Sequence, residues 1–191
     1  MAELNSHVYV KKIDSSKAEL LGTIIQAFSN NDLTADAIES NFVSAAKAFD
    51  EEQGENLAIK LLASVKKSYG DTARDLYANI HEIAGYYRLH FCHGSVGDEL
   101  IPSIVSFLGD LIPNSDVRAY LHGDDDPWEI FYVYETSRVV EKDYGPDQSE
   151  RDNDQLPDEY LWWHSGMPKE ILEGFINTWK AVDDDEWEDW L

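Results

Sequence analysis

Three short stretches of this chain hold the residue types that could do chemistry. The densest is Leu121-His122-Gly123-Asp124-Asp125-Asp126-Pro127-Trp128-Glu129. Three carboxylates and an imidazole suit a divalent cation, because hard cations favour several oxygen ligands. The spacing does not: an EF-hand loop places oxygens at alternate positions around a central Gly, with a distal Glu, whereas here the acids are consecutive and Pro follows. Asp and Gly followed by Pro is also what an exposed turn needs. A turn that contacts a partner is the functional alternative.

His90, Cys92 and His93 have zinc-ligand chemistry. On a strand, positions 90 and 92 share a face and 93 faces the other way, and no second Cys exists to complete a structural site. Packed or solvated side chains are the expectation, with Cys92 as a small buried residue. Glu159-Tyr160-Leu161-Trp162-Trp163-His164 could be a recognition patch of aromatic anchors or the core plug that precedes a final helix. A carboxylate pair would suffice for general acid-base catalysis, but no Gly-rich phosphate loop, GxSxG elbow, HExxH helix or CxxC pair singles out a site. No metal and no cofactor is expected.

The elements that must position these groups follow from periodicity. Ser15-Ser16-Lys17-Ala18-Glu19 resembles a capping sequence, and Leu20, Leu21, Ile24, Ile25 and Phe28 form one apolar helical stripe. A second helix is predicted after Thr34, with Ala37, Ile38, Phe42, Ala45, Ala46 and Phe49 on one face, ending at the acidic run Asp50 to Gly54. A third carries Leu57, Ile59, Leu61, Leu62 and Val65, and Asp71 to Ile83 reads as a further helix capped by Asp71-Thr72. From Tyr86 the period changes: Tyr87 to His93 is a strand, Asp98 to Leu111 a helix with Pro102 in its first turn, and Asp116 to His122 a strand. Trp128 to Tyr134 is another strand, continuing through Val139-Val140, and the two strands joined by the acidic turn should be antiparallel. The loop Asp143 to Glu159 and a closing helix from Pro168 through Ile171, Leu172, Phe175, Ile176 and Trp179 complete the pattern. The expected fold is α+β: N-terminal helices, then a small, largely antiparallel sheet with helices packed on one face, and a C-terminal helix. One domain is expected over 1–191, with a helical part at 1–84, a strand-rich part at 85–182 and an acidic tail at 183–191.

Charge narrows the classes of partner. The net charge is −23, and residues 1–70 account for only −3 of it. All six tryptophans lie between Trp128 and Trp190. Apolar residues make up 43% of the chain, too many for a disordered acidic polypeptide, so it should fold. A pI near 4.3 argues against nucleic acid or anionic membrane and favours a basic protein partner. The opening MAELNSHVYVKKIDSSKAELL lacks the pattern of a secretory signal, no apolar run suits a membrane span, and a lone Cys permits no internal disulfide, so a cytoplasmic protein is expected.

The stretch Leu121 to Tyr132 and the acidic, aromatic C-terminal half resemble the immunity proteins of bacterial polymorphic-toxin and contact-dependent growth-inhibition systems. The resemblance covers residues 86–182 and implies a non-enzymatic protein that binds a cognate toxin domain, often a basic nuclease, and covers its active site. Physical chemistry points the same way: buried rings anchor a contact while carboxylates steer a basic partner to it. The contact candidates are Asp124, Asp125, Asp126, Trp128, Asp152, Asp154, Asp158, Glu159 and Trp162, with Trp187 and Trp190 beyond them. A DNA mimic of the anti-restriction kind would want acids spaced along an elongated face, which the nearly neutral N-terminal part of the chain does not supply. A carboxylate-dependent hydrolase would want a deep pocket with converging acids.

Overall fold

The computed structural model describes residues 4–29, 41–69, 78–83, 85–93, 97–123 and 129–143. In chain order these form β1 (Leu4–Lys11), α1 (Ala18–Ser29), α2 (Asn41–Phe49), α3 (Gly54–Tyr69), β2 (Ala78–Ile83), β3 (Tyr86–His93), α4 (Gly97–Leu111), β4 (Val117–Gly123), β5 (Glu129–Glu135) and β6 (Arg138–Asp143). The class is α+β, with six antiparallel strands in the order β2-β3-β1-β4-β5-β6. β4 and β5, which flank the acidic stretch, pair antiparallel as expected.

β1 has no counterpart among the predicted elements. It precedes the helices in the chain yet lies between β3 and β4 in the sheet. Its Val8 and Val10 are wholly buried, alternating with His7 and Tyr9 on the opposite face. Leu89 and Phe91 of β3, and Val117, Ala119 and Leu121 of β4, share the face of Val8 through the pairs Val8↔Leu89 and Val8↔Ala119. A one-residue slip of β1 would turn both valines out of the core, so the register is strongly specified.

Among the described residues the helices lie on that one side of the sheet, with α1 and α4 directly against it. α1 packs over β2 and β3, α4 packs over β1, β4, β5 and β6, and α2 and α3 join them, each helix packing on the next. Aromatic rings link the layers: Phe28 meets Phe91 at 5.9 Å and Phe42 at 6.0 Å, both edge-on, and Phe42 meets Phe107 at 5.2 Å. Each fully buried Phe contributes about 1.5–3 kcal/mol. The helix starts are capped locally: Ser15 Oγ accepts from the Lys17 N–H at 3.2 Å, and Asp50 Oδ1 accepts from the N–H groups of Glu52 and Gln53 at 3.0 Å each. Such contacts satisfy backbone donors that the first helical turn leaves unpaired.

Several local expectations need correction. The helix predicted over Asp71–Ile83 is instead strand β2 from Ala78 to Ile83, whose buried Ala78 and half-buried Ile80 alternate inward against β3. Val139 and Val140 do not extend β5: a tight turn at Thr136 and Ser137 reverses the chain into β6. Ile59 points out of α3 at 43% exposure rather than into the core, because Leu61, Leu62 and Val65 already fill the inward face. α4 starts at Gly97, so Pro102 falls in its second turn rather than its first. Residues 30–40, 70–77 and the closing helix expected from Pro168 lie outside the described residues.

Candidate functional site

Every sequence-predicted contact residue lies outside the described residues: Asp124, Asp125, Asp126, Trp128, Asp152, Asp154, Asp158, Glu159, Trp162, Trp187 and Trp190. The strands from which those stretches depart are described. Pairing places Ala78, Phe91, Ser6, Leu121, Ile130 and Asp143 in one row across all six strands. Gly123, which precedes residues 124–128, pairs with Leu4, and Asp143, which precedes 144–191, pairs with Ile130 of β5. Both acidic stretches therefore start from the same end of the sheet.

The second sheet face, opposite the helices, carries a cluster that no motif in the sequence singles out. Tyr9, His7 and Arg88 are only 2%, 7% and 7% exposed there, and Tyr86 is also buried. The His7 and His90 rings stack at 4.6 Å with an interplanar angle of 11°, as their positions opposite one another on β1 and β3 require. Directly opposed side chains on paired strands come this close as a rule. Tyr9 is flanked by Arg88 and Arg118 on its two neighbouring strands, and His81 lies beyond Arg88 on β2. Asp116 binds two members of the cluster, accepting from Tyr86 Oη at 3.0 Å and from Arg118 Nε at 2.5 Å.

Burial sets the charge states in this cluster. It pushes the Tyr9 hydroxyl well above its ordinary value, against the opposing pull of Arg88, so Tyr9 is neutral near neutral pH. Burial also lowers the Arg88 pKa, while Tyr9 opposes that shift. The guanidinium keeps its charge because arginine starts so far above neutrality. His81 is pulled below the usual histidine range, first by burial and then by the Arg88 charge. The outcome is a buried cationic and imidazole-bearing face in a chain whose net charge is −23.

On the helical side, a groove of about 190 Å³ runs between α3 and α4, with Leu57, Leu61, Ser64, Pro102, Phe107 and Asp110 in its lining. Asp110 accepts from Ser106 Oγ at 3.3 Å and from Tyr134 Oη. Burial and then Asp110 raise the Tyr134 hydroxyl to about 12. Among the described residues Asp110 is the only carboxylate lining this groove, so they do not supply the acid pair that hydrolysis would want. Among the described residues, too, no group of three or more His, Cys, Asp or Glu could hold a metal ion, and no helix is long and apolar enough to cross a membrane.

Comparison with family models, curated proteins and solved structures gives no match. The cluster does have a signal in the sequence. His7 and Tyr9 alternate with Val8 and Val10, and Arg88 and His90 alternate with Leu89 and Phe91, so each set belongs to one strand face. Bringing the two sets together needed the β1–β3 pairing.

Proposed function

We propose that the chain is an immunity protein that binds a basic, nuclease-like toxin domain in the cytoplasm and occludes its active site without catalysis. One observation supports the reading above others: Asp124, Asp125, Asp126 and Trp128 fall between the paired strands β4 and β5, at the sheet end from which the acidic residues 144–191 also begin. A segment held at both ends by paired strands loses little further entropy on binding, and its charges lie beside an aromatic anchor. A nuclease is basic around its phosphate site, so an acidic partner is steered there, with association rates up to about 10⁸–10⁹ M⁻¹s⁻¹ at low salt.

The test pairs this chain with the variable C-terminal domain encoded by the adjacent upstream reading frame. Co-expression should rescue growth. The association rate of the purified pair should fall about tenfold or more as salt rises from roughly 0.05 to 0.5 M. Asp124→Asn/Asp125→Asn/Asp126→Asn should slow association, whereas Trp128→Ala should speed dissociation by about thirtyfold, the loss expected of an anchor of about 2 kcal/mol. Failure of rescue, or an association rate indifferent to both salt and the triple substitution, would sink the reading.

A further inference from the structure

The middle of the second sheet face is buried, although its margins are open and the described helices pack on the first face. Tyr9, His7, Arg88, Tyr86 and Val133 lose nearly all their solvent contact on a face that no described helix covers. Most of the remaining chain is poorly placed to act as cover. Residues 1–3 are too few, 84 joins β2 to β3, 30–40 join two helices, 70–77 and 94–96 each join a helix and a strand, and 124–128 are a short connection between β4 and β5. Residues 144–191 remain, and they start from the sheet itself at Asp143. Six strands span about 24 Å, whereas an extended segment of this length reaches over roughly 100 Å, so reach is not limiting.

Charge points to the same occupant. The face presents the buried guanidinium of Arg88 and that of Arg118, the latter paired with Asp116, with the exposed Lys11 at one margin and Arg138 opposite Glu135 at the other. A layer laid over buried guanidinium groups is favoured when it brings carboxylates and disfavoured when it brings further cations. Residues 144–191 carry 14 Asp and Glu against Arg151, Lys169 and Lys180, together with five of the six tryptophans. That composition is complementary to a cationic face studded with tyrosine and stacked imidazoles.

We propose that residues 144–191 dock across the Arg88- and Arg118-bearing face of the chain's own sheet, with carboxylates beside the guanidinium groups and tryptophan rings closing over the Tyr9 and His7–His90 surface. The sheet is then a middle layer, with helices on one side and the acidic segment on the other. The inference does not depend on a toxin partner. If both hold, acids engaged with the sheet are withheld from the toxin, and residues 124–128 become the principal contact.

The tryptophans make the proposal measurable in the full-length chain, because none lies among the described residues. Acrylamide quenching of fluorescence excited at the red edge therefore reports residues 128 and 162–190. Wild type should be poorly quenched. The double variant Lys11→Glu/Arg118→Glu should be quenched about twofold more, and tryptic cleavage after Arg151 should accelerate about fivefold, the loss expected of partly exposed ion pairs. Lys66→Glu/Lys67→Glu, the same charge change on the exposed side of α3, should leave both unchanged. Should the double variant lose its far-UV circular dichroism, carbodiimide cross-linking of wild type decides instead. Lys11 should couple to carboxylates within 147–189, and a mixture of ¹⁴N- and ¹⁵N-labelled protein should give links within one chain. Links found only in mixed-isotope species would assign the cover to a second copy and overturn the proposal. So would wild-type tryptophans as accessible as those of the unfolded chain, or the absence of any Lys11 link to this segment.

Discussion

A single methyl group at Gly109 should unseat the contact between β5 and α4. A Cβ built there would lie 2.2 Å from Tyr134 Cγ and 2.4 and 2.5 Å from its two Cδ atoms. To reach ordinary contact at 3.4 Å the ring would have to retreat by more than an ångström. Its hydroxyl is tied to Asp110, the residue next to Gly109, so retreat also disturbs a hydrogen bond to a carboxylate. Overpacking of this kind costs about 1–3 kcal/mol and a hydrogen bond to a charged group contributes about 1.5–3 kcal/mol. Ala returns about 1 kcal/mol as a better helix former than Gly. The net expectation for Gly109→Ala is a loss of about 1.5–5 kcal/mol, which in a chain of this length lowers Tm by about 3–20 °C. Urea unfolding followed by far-UV circular dichroism should show a lower midpoint with an unchanged slope. In a Tyr134→Ala background the same substitution should be neutral or stabilising, since the ring that clashes is gone. A Gly109→Ala protein as stable as wild type, or equal effects in both backgrounds, would refute the steric argument.

Other outcomes follow from the same geometry. Thr136 and Ser137 hold positive φ angles of 49° and 62° in the β5–β6 hairpin. A β-branched residue is strained there, whereas Asn is favoured at the first position of such a turn. Thr136→Asn should therefore raise stability by about 1 kcal/mol in urea titrations, leaving in place Ser137, whose side chain bonds Tyr134. The Tyr134 hydroxyl is raised to about 12 from an ordinary 10.0, so its contribution to stability is complete below the ordinary value and is lost as pH rises through the raised one. Tyr134→Phe should remove that part of the alkaline stability loss, and absorbance titration should show one late-ionising tyrosinate fewer. The His81 imidazole is depressed, so as a group buried neutral it contributes stability above the ordinary histidine range, which is lost as pH falls through its lowered value. A proton NMR titration should find it below the usual 6.5, and Arg88→Met should move it upward; no movement would remove Arg88 as a cause.

Local patterns in the chain were enough for much of the architecture. The apolar stripe Leu21, Ile24, Ile25 and Phe28 marks α1, and all four are buried. Ser15 caps it as its position suggests. β3, α4, β4 and β5 also declare themselves through a change of period near Tyr86, and the turn residues between Gly123 and Glu129 imply the antiparallel pairing found there. β2 reads as helix because its segment satisfies a helical spacing as well as an alternating one, and pairing with β3 decides between them. The candidate contact residues are legible only as composition, since acidity and aromatic content carry no address.

The type of most described elements and the net charge were determined by the sequence itself, because periodicity and charge are properties of neighbouring residues. Tertiary structure alone decided that β1 enters the centre of a sheet completed more than a hundred positions later. It thereby placed His7 against His90, and Tyr9 between Arg88 and Arg118. Those residues look ordinary in the chain. They become a buried cationic face only when long-range strand pairing sets their register, and loop closure across such separations leaves no trace in any local window.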